Sequence, residues 1–181
     1  MKWMIASDIH GSAYYCKQML DAFDNERADR LLLLGDILYH GPRNDLPLEY
    51  APKDVIAMLN PLAERILCVR GNCDTEVDQM VLDFQILADY AVLTVDRLLI
   101  YATHGHKYAP DNPPPLQKCD ILLTGHTHIP ACQLFGNQNL YLNCGSVSIP
   151  KENSPHSYMI LENRECTWRS LDGTMFMEQQ L

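Results

Sequence analysis

Apolar residues in the first third of the chain fall into short blocks separated by stretches of helical period. Lys2 to Ser7 is one such block, and from Ser12 onward Met19, Leu20 and Phe23 recur on one face of a predicted helix. Ser12 stands where an N-cap belongs, with a hydroxyl able to accept from the first turn's amides. Arg30 to Leu34 forms a second block and leads through a long loop to a helical pattern near Lys53 to Leu59. Arg65 to Val69 forms a third. Strands alternating with helices predict a parallel sheet with helical cover.

The second half has a different rhythm. Ala91 to Val95 and Leu98 to Thr103 flank Asp96-Arg97 as a hairpin, and Ile121 to Thr124 follows. Ala131 to Phe135 and Leu140 to Leu142 then surround Gly136-Asn137. Tyr158 to Leu161, Cys166 to Leu171 and Thr174 to Met177 predict a closing meander, its last pair joined at Asp172-Gly173. Two packed sheets with helices outside accommodate both halves, so an α/β fold is expected. There is no internal repeat. Leu46-Pro47, Ala51-Pro52 and the run Pro113-Pro114-Pro115 read as loops inside a single domain spanning residues 1–181.

Composition narrows the class. At 181 residues, 47% hydrophobic and 20% charged, the chain has one ordinary globular domain's worth of sequence. Its longest apolar runs, Leu31 to Leu34 and Leu98 to Ala102, fall far short of the roughly 18 residues of a membrane helix. Asp8 and His10 interrupt the first block too early for a signal peptide. A cytoplasmic protein without membrane contact is expected. Fourteen Lys+Arg against 23 Asp+Glu give a net charge of −9, which argues against binding a nucleic-acid polymer. A phosphorylated substrate stays open, because bound cations invert the local field. The seven cysteines form no CxxC pair; Cys16, Cys68, Cys119, Cys132 and Cys166 lie in or beside apolar stretches and read as reduced core thiols. The scattered methionines read as core filler.

The chemistry gathers at strand ends. Five apolar blocks run directly into Asp8-Ile9-His10, Gly35-Asp36, Gly71-Asn72-Cys73-Asp74, Thr103-His104-Gly105-His106 and Gly125-His126-Thr127-His128. Ligands of open α/β sheets bind outside the carboxyl ends of the strands, so these five ends can converge. Asp8/His10 and His126/His128 are i, i+2 pairs, which point the same way when extended. Asp8, His10, Asp36, Asn72, His104, His126 and His128 are too many for one tetrahedral zinc and suit two adjacent cations. Mixed imidazole and carboxylate favour Mn, Fe, Zn or Co over Ca or Mg.

The order D-x-H, G-D, G-N-x-D, H-G-H, G-H-T-H resembles the calcineurin-like metallophosphoesterase signature, across residues 8 to 128. His40-Gly41-Pro42-Arg43-Asn44, Gly71 to Asp74 and Gly145 to Lys151 are similar to the small bacterial YfcE-type phosphodiesterases, over all but the motif-poor last thirty residues. The resemblance implies a four-layer α/β/β/α sandwich of the metallophosphoesterase type. It further implies a dinuclear centre, Mn2+ before Fe, Zn, Co or Ni, and hydrolysis of a small soluble phosphodiester by a bridging hydroxide. It gives one metal to Asp8, His10 and His128, the other to Asn72, His104 and His126, and makes Asp36 the bridge. Relatives are often dimers or tetramers, so a homo-oligomer is also implied.

One position departs from that pattern. Many family members carry His after G-N, where this chain has Cys73, a weaker acid than imidazolium. Cys73 is either a catalytic thiol or a small filler, and His106 either a substitute proton donor or a surface residue. Asp74 is placed to orient a neighbour. Arg43 and His40 sit in a long proline-bearing loop; Arg43 is a substrate-contact candidate, its rival a solvated loop charge. Ser146 to Lys151 either line the site or form a strand-ending turn, and His156 has no motif around it. Two alternatives remain beside the phosphodiesterase: a phosphomonoesterase on the same site, and a non-catalytic Vps29-like binding scaffold. Against the scaffold, all seven ligand positions are filled.

Overall fold

Strands buried on both faces read as unbroken apolar runs, and the first two behave that way. In the computed structural model, which describes residues 1–181, β1 (Trp3–Ala6), β2 (Arg30–Leu33) and β3 (Ile66–Cys68) lie parallel and adjacent. Met4, Ala6, Leu31 and Leu33 face the helices, while Ile5 and Leu32 face a second sheet. Helix α1 (Ala13–Asn25) is capped as the sequence predicts, Ser12 Oγ accepting from the Tyr15 amide at 3.3 Å. It buries Cys16, Met19 and Phe23 on the first sheet. Helix α2 (Pro52–Leu59) opens on a proline, which needs no amide partner in the first turn. It continues into a 3-10 segment, Asn60–Arg65, that the Asn60-Pro61 pair had disguised as a break. Helix α3 (Glu76–Gln79) is a single turn, too short to show a period.

The second sheet contains β4 (Ala91–Val95), β5 (Leu98–Ala102), β6 (Ile121–Thr124), β7 (Ala131–Phe135) and β8 (Asn139–Asn143), in the order β4-β5-β6-β8-β7. The predicted hairpin at Asp96-Arg97 forms, β7 and β8 pair antiparallel around Gly136-Asn137, and β5, β6 and β8 are parallel. The closing meander, β9 (Ser157–Glu162), β10 (Glu165–Ser170) and β11 (Met175–Gln180), leaves this sheet and extends the first one. There β9 runs antiparallel to β1 with Met4 opposite Ile160. Alternation marks a strand but not the partner it finds, so this crossing was invisible in the sequence.

The sheets pack through Ile5, Leu32, Leu34, Ile100, Leu123, Leu142 and Trp168. Trp168 Nε1 donates across that layer to the Asn143 carbonyl at 2.7 Å. The result is the expected sandwich of two mixed sheets with flanking helices. Helices α1 and α2 pack on the first sheet, and Tyr108 of the loop after β5 packs edge-on against Tyr101 of the second. Two thiol expectations fail: Cys119 is exposed and Cys132 half-buried, each lying at the margin of its apolar stretch. Met80 is likewise exposed, while Met4, Met19 and Met159 fill the core. No helix is long and apolar enough to cross a membrane.

Leu32 is fully buried between the sheets beneath the site, so Leu32→Ala is expected to cost about 2–5 kcal/mol in urea unfolding. A loss under about 1 kcal/mol would show that the inter-sheet layer relaxes freely.

Candidate metal centre

The carboxyl ends of β1, β2, β3, β5 and β6 meet at the seam between the two sheets. They bring Asp8, His10, Asp36, Asn72, His104, His126 and His128 together there. Asp8 Oδ1 lies 3.4 Å from His10 Nε2 and 3.2 Å from His128 Nε2. On the other side, His104 Nε2 is 3.0 Å from Asn72 Oδ1 and 3.1 Å from His126 Nδ1. Asp36 Oδ2 stands between the groups, 3.7 Å from His10 Nε2 and 3.5 Å from His104 Nε2. Asp8, His10 and His128 form one cluster of metal-ligand spacing; Asp8, Asp36 and His104 form another.

The convergence does not come from extended pairs, as the i, i+2 spacing suggested. Asp8, His10, Asp36, His126 and His128 all adopt left-handed backbone, with φ of 60°, 49°, 56°, 65° and 64°. Each such residue costs about 1 kcal/mol or more, so the surroundings must hold it. The Asp8 carbonyl accepts from the Ser146 and Ser148 hydroxyls at 3.1 and 2.9 Å, and Asp8 Oδ2 accepts from the His126 amide at 3.0 Å. Asp74 accepts from the amides of Asp36, Ile37 and Gly71 at 2.8, 2.9 and 2.7 Å, clamping the β2 and β3 loops together. Gly71 has no side chain because Asp36 fills that space, and Gly125 none because Ser7 does. Asn143 donates to Thr124, Gly125 and Thr127, buttressing the His126 turn. The sequence reading passed over Asn143, although it too is a polar residue ending an apolar strand before a glycine.

The donor atoms are aimed inward. His10, His104 and His128 each donate Nδ1–H to a backbone carbonyl, of Tyr39, Leu34 and Ile149, at 2.8, 2.7 and 2.7 Å. A carbonyl can only accept, so Nε2 carries the lone pair in each neutral ring. Asp8 Oδ1 and His10 Nε2 are buried without a hydrogen-bond partner. Burial pushes the Asp8 carboxyl up, yet when the pocket is protonated the imidazoles beside it, His10 first, donate to it and hold it well below the usual carboxylate range. His104 is raised to about 9 against burial by Asp36 and Asp8, while burial and then His104 push His126 down to about 4. Orphaned acceptors facing one another in a buried pocket are what a cation relieves, and this donor set fits a borderline divalent metal.

The donors open onto a cleft of about 410 Å³ whose only Lys or Arg side chains are Arg43 and Lys151; Cys73, Asn44 and Thr127 also line it. Burial, then Asp36, pushes the Cys73 thiol up, so it stays protonated. His106 is exposed, its ring 5.4 Å from that of His104, and does not line the cleft. Nor does His40, whose ring packs edge-on against Tyr39 and Tyr50 at 4.8 and 5.2 Å. Of the Ser146 to Lys151 stretch only Lys151 reaches the cleft, because Ser146 and Ser148 are buried behind Asp8. His156 stacks on Tyr15 at 3.9 Å, away from the donors.

A family model described as the calcineurin-like phosphoesterase superfamily domain matches residues 1–165. Phosphodiesterase YfcE of Escherichia coli K12 is 47% identical over 163 residues, which cover 90% of this chain and 88% of that one. The solved structure of YfcE, a phosphoesterase from E. coli, matches with a TM-score of 0.95 at 43% identity, covering 99% of each chain. A Vps29 from Entamoeba histolytica aligns with a TM-score of 0.59 at 23% identity, over 100% of this chain and 99% of its own, a likeness of fold alone.

Asp74→Ala strips the acceptor from three buried amides, and each orphaned donor costs about 1–3 kcal/mol. The expected loss is about 3 kcal/mol or more, read by urea unfolding in chelator so that metal does not contribute. A change below about 1 kcal/mol would mean the two loops hold their conformation without the clamp.

Proposed function

This chain belongs to the calcineurin-like phosphoesterase superfamily, and we propose that it hydrolyses small phosphodiesters at a pair of divalent cations. Membership makes it a metal-binding phosphoric diester hydrolase. The dinuclear centre, its metal and the substrate class are our reading. The observation that carries it is the orphaned pair Asp8 Oδ1 and His10 Nε2, buried beside imidazoles whose lone pairs face inward.

In this reading Asp8, His10 and His128 hold one cation, Asn72, His104 and His126 the other, and Asp36 serves both. The position of Asp36 Oδ2, within 3.7 Å of His10 Nε2 and 3.5 Å of His104 Nε2, supports the shared role. Roughly four positive charges against two carboxylates leave net attraction for a phosphate, which reconciles the site with an acidic protein. When bound, such a pair would activate water for in-line attack on phosphorus and stabilise the phosphoryl oxygens. We take manganese as the working metal and the reducing cytoplasm as the setting, in keeping with seven free thiols.

Arg43 and Lys151 hold the substrate's polar groups in the cleft. Cys73 offers no imidazolium, so aryl diesters with good leaving groups suit this site better than alkyl monoesters, whose alkoxides need a proton. That weighs against the phosphomonoesterase. His106, its ring 5.4 Å from that of His104 but outside the cleft lining, is the remaining imidazole near the donors that does not serve as one in this reading. Nothing in the site favours a purely scaffolding role.

Exhaustive chelation is expected to abolish hydrolysis of an aryl diester, and Mn2+ to restore it with two ions per chain by metal analysis. Asp36→Asn is expected to cost more than Asp8→Asn, on the order of 10²-fold or greater in kcat, since it weakens both ions. Full activity in verified metal-free protein, or two metals and near-parent turnover in Asp36→Asn, would overturn the centre. Arg43→Ala is expected to raise KM about tenfold at unchanged kcat and metal content, the signature of lost uniform binding. An unchanged KM on every cleaved diester would return Arg43 to a solvated loop charge.

A further inference from the structure

Beside the metal cleft lies a second hollow of about 350 Å³, and Cys73 stands in the wall of both. Their chemistry is opposite. One of the 11 residues lining the cleft is hydrophobic, against seven of the ten around the hollow. The hollow's polar members are already engaged with each other: Asp78 accepts from the Thr75 amide and hydroxyl at 2.8 and 2.9 Å. The chain from residue 39 to 44 divides the two spaces, with Tyr39 on the apolar side and Gly41 to Asn44 on the metal side. Gly41 and Cys73 face each other at the divide. A Cβ added at Gly41 would lie 3.1 Å from Cys73 Sγ.

Tyr39, Val77 and Val81 leave 41%, 70% and 44% of their surfaces exposed along this groove. Uncovered apolar surface at the rim of a reaction cleft marks a place for a ligand. We infer that the groove receives an alkyl or aryl ester arm of the substrate while the phosphoryl group lies on the metal side of Cys73. This inference rests on the phosphodiesterase reading above. Arg43 and Lys151 occupy only the other chamber, so the substrate class is an asymmetric phosphodiester with one apolar and one polar arm.

The test is calorimetric binding of methyl-, butyl- and hexylphosphonate to the Mn-loaded protein, independent of turnover. Affinity is expected to rise at least about tenfold from methyl to hexyl, as buried methylenes dictate. Val81→Glu, a carboxylate placed in the groove, is expected to abolish that rise and leave methylphosphonate binding unchanged. Should Val81→Glu fail to fold, Val77→Glu, at a far more exposed position, replaces it. A flat dependence on chain length in the parent, with methylphosphonate still bound, overturns the groove assignment and spares the metal reading. Loss of methylphosphonate binding altogether overturns both. A rise that survives both variants puts the chain elsewhere and overturns the assignment. So does a parent dimer, seen by sedimentation and dispersed by Val81→Glu, because the groove would then be covered by a second copy.

Discussion

Two buried carboxylates and four imidazoles confront one another across the seam between the sheets, and their electrostatic balance is the constraint to which the rest answers. Asp8 and Asp36 are almost wholly removed from water, where an isolated carboxylate is costly. Each accepts from a backbone amide, of His126 and of Cys73, but imidazole nitrogens also stand 3.2 to 3.7 Å away, and their lone pairs add to the negative field when the rings are neutral. The balance is met by positive charge inside the pocket: a proton on His104, or cations in the loaded enzyme. His104 and His126, 3.1 Å apart, behave oppositely: burial and then the charge on His104 push His126 down, while Asp36 and Asp8 raise His104.

Such a pocket holds its shape only if its walls are fixed independently of what it binds. The fixing is done by backbone. Three of the imidazoles are oriented by carbonyls, Asp36 by the Asp74 clamp, Asp8 by two serine hydroxyls, and the His126 turn by Asn143. These supports come from both sheets and from the Ser146 to Ile149 strap, so the site depends on the sandwich being assembled. Left-handed backbone at five donors is tolerable because each is tied down by a neighbour that no local turn could supply.

A Vps29 from Entamoeba histolytica shares this fold at 23% identity, and a fold by itself does not fix chemistry. The sandwich supplies five strand ends at a seam; what they do depends on the residues standing there. In this chain seven possible donors stand there, and the loop from Tyr39 to Asn44 lies between the polar cleft in front of them and an apolar hollow, with Cys73 lining both. The thiol at that meeting point is small and uncharged, where an imidazole would be bulkier and able to carry a proton.

Much of this was written in the sequence. The apolar blocks located nearly every strand, Ser12 its helix start, and the polar residues closing each block the donor set, because burial and strand-end chemistry are local signals. The resemblance carried by five short motifs gave the family. Tertiary structure decided the rest. Only three-dimensional pairing placed β9 beside β1, since alternation does not name a partner. Only the folded loops revealed that Asp8 and His10 converge through left-handed backbone, that His40 packs between tyrosines away from the cleft, and that Asn143 braces the His126 turn. The physical reason is the same in each case: residue type and spacing report what a segment can bury or bind, whereas orientation is fixed by hydrogen bonds to groups distant in the chain.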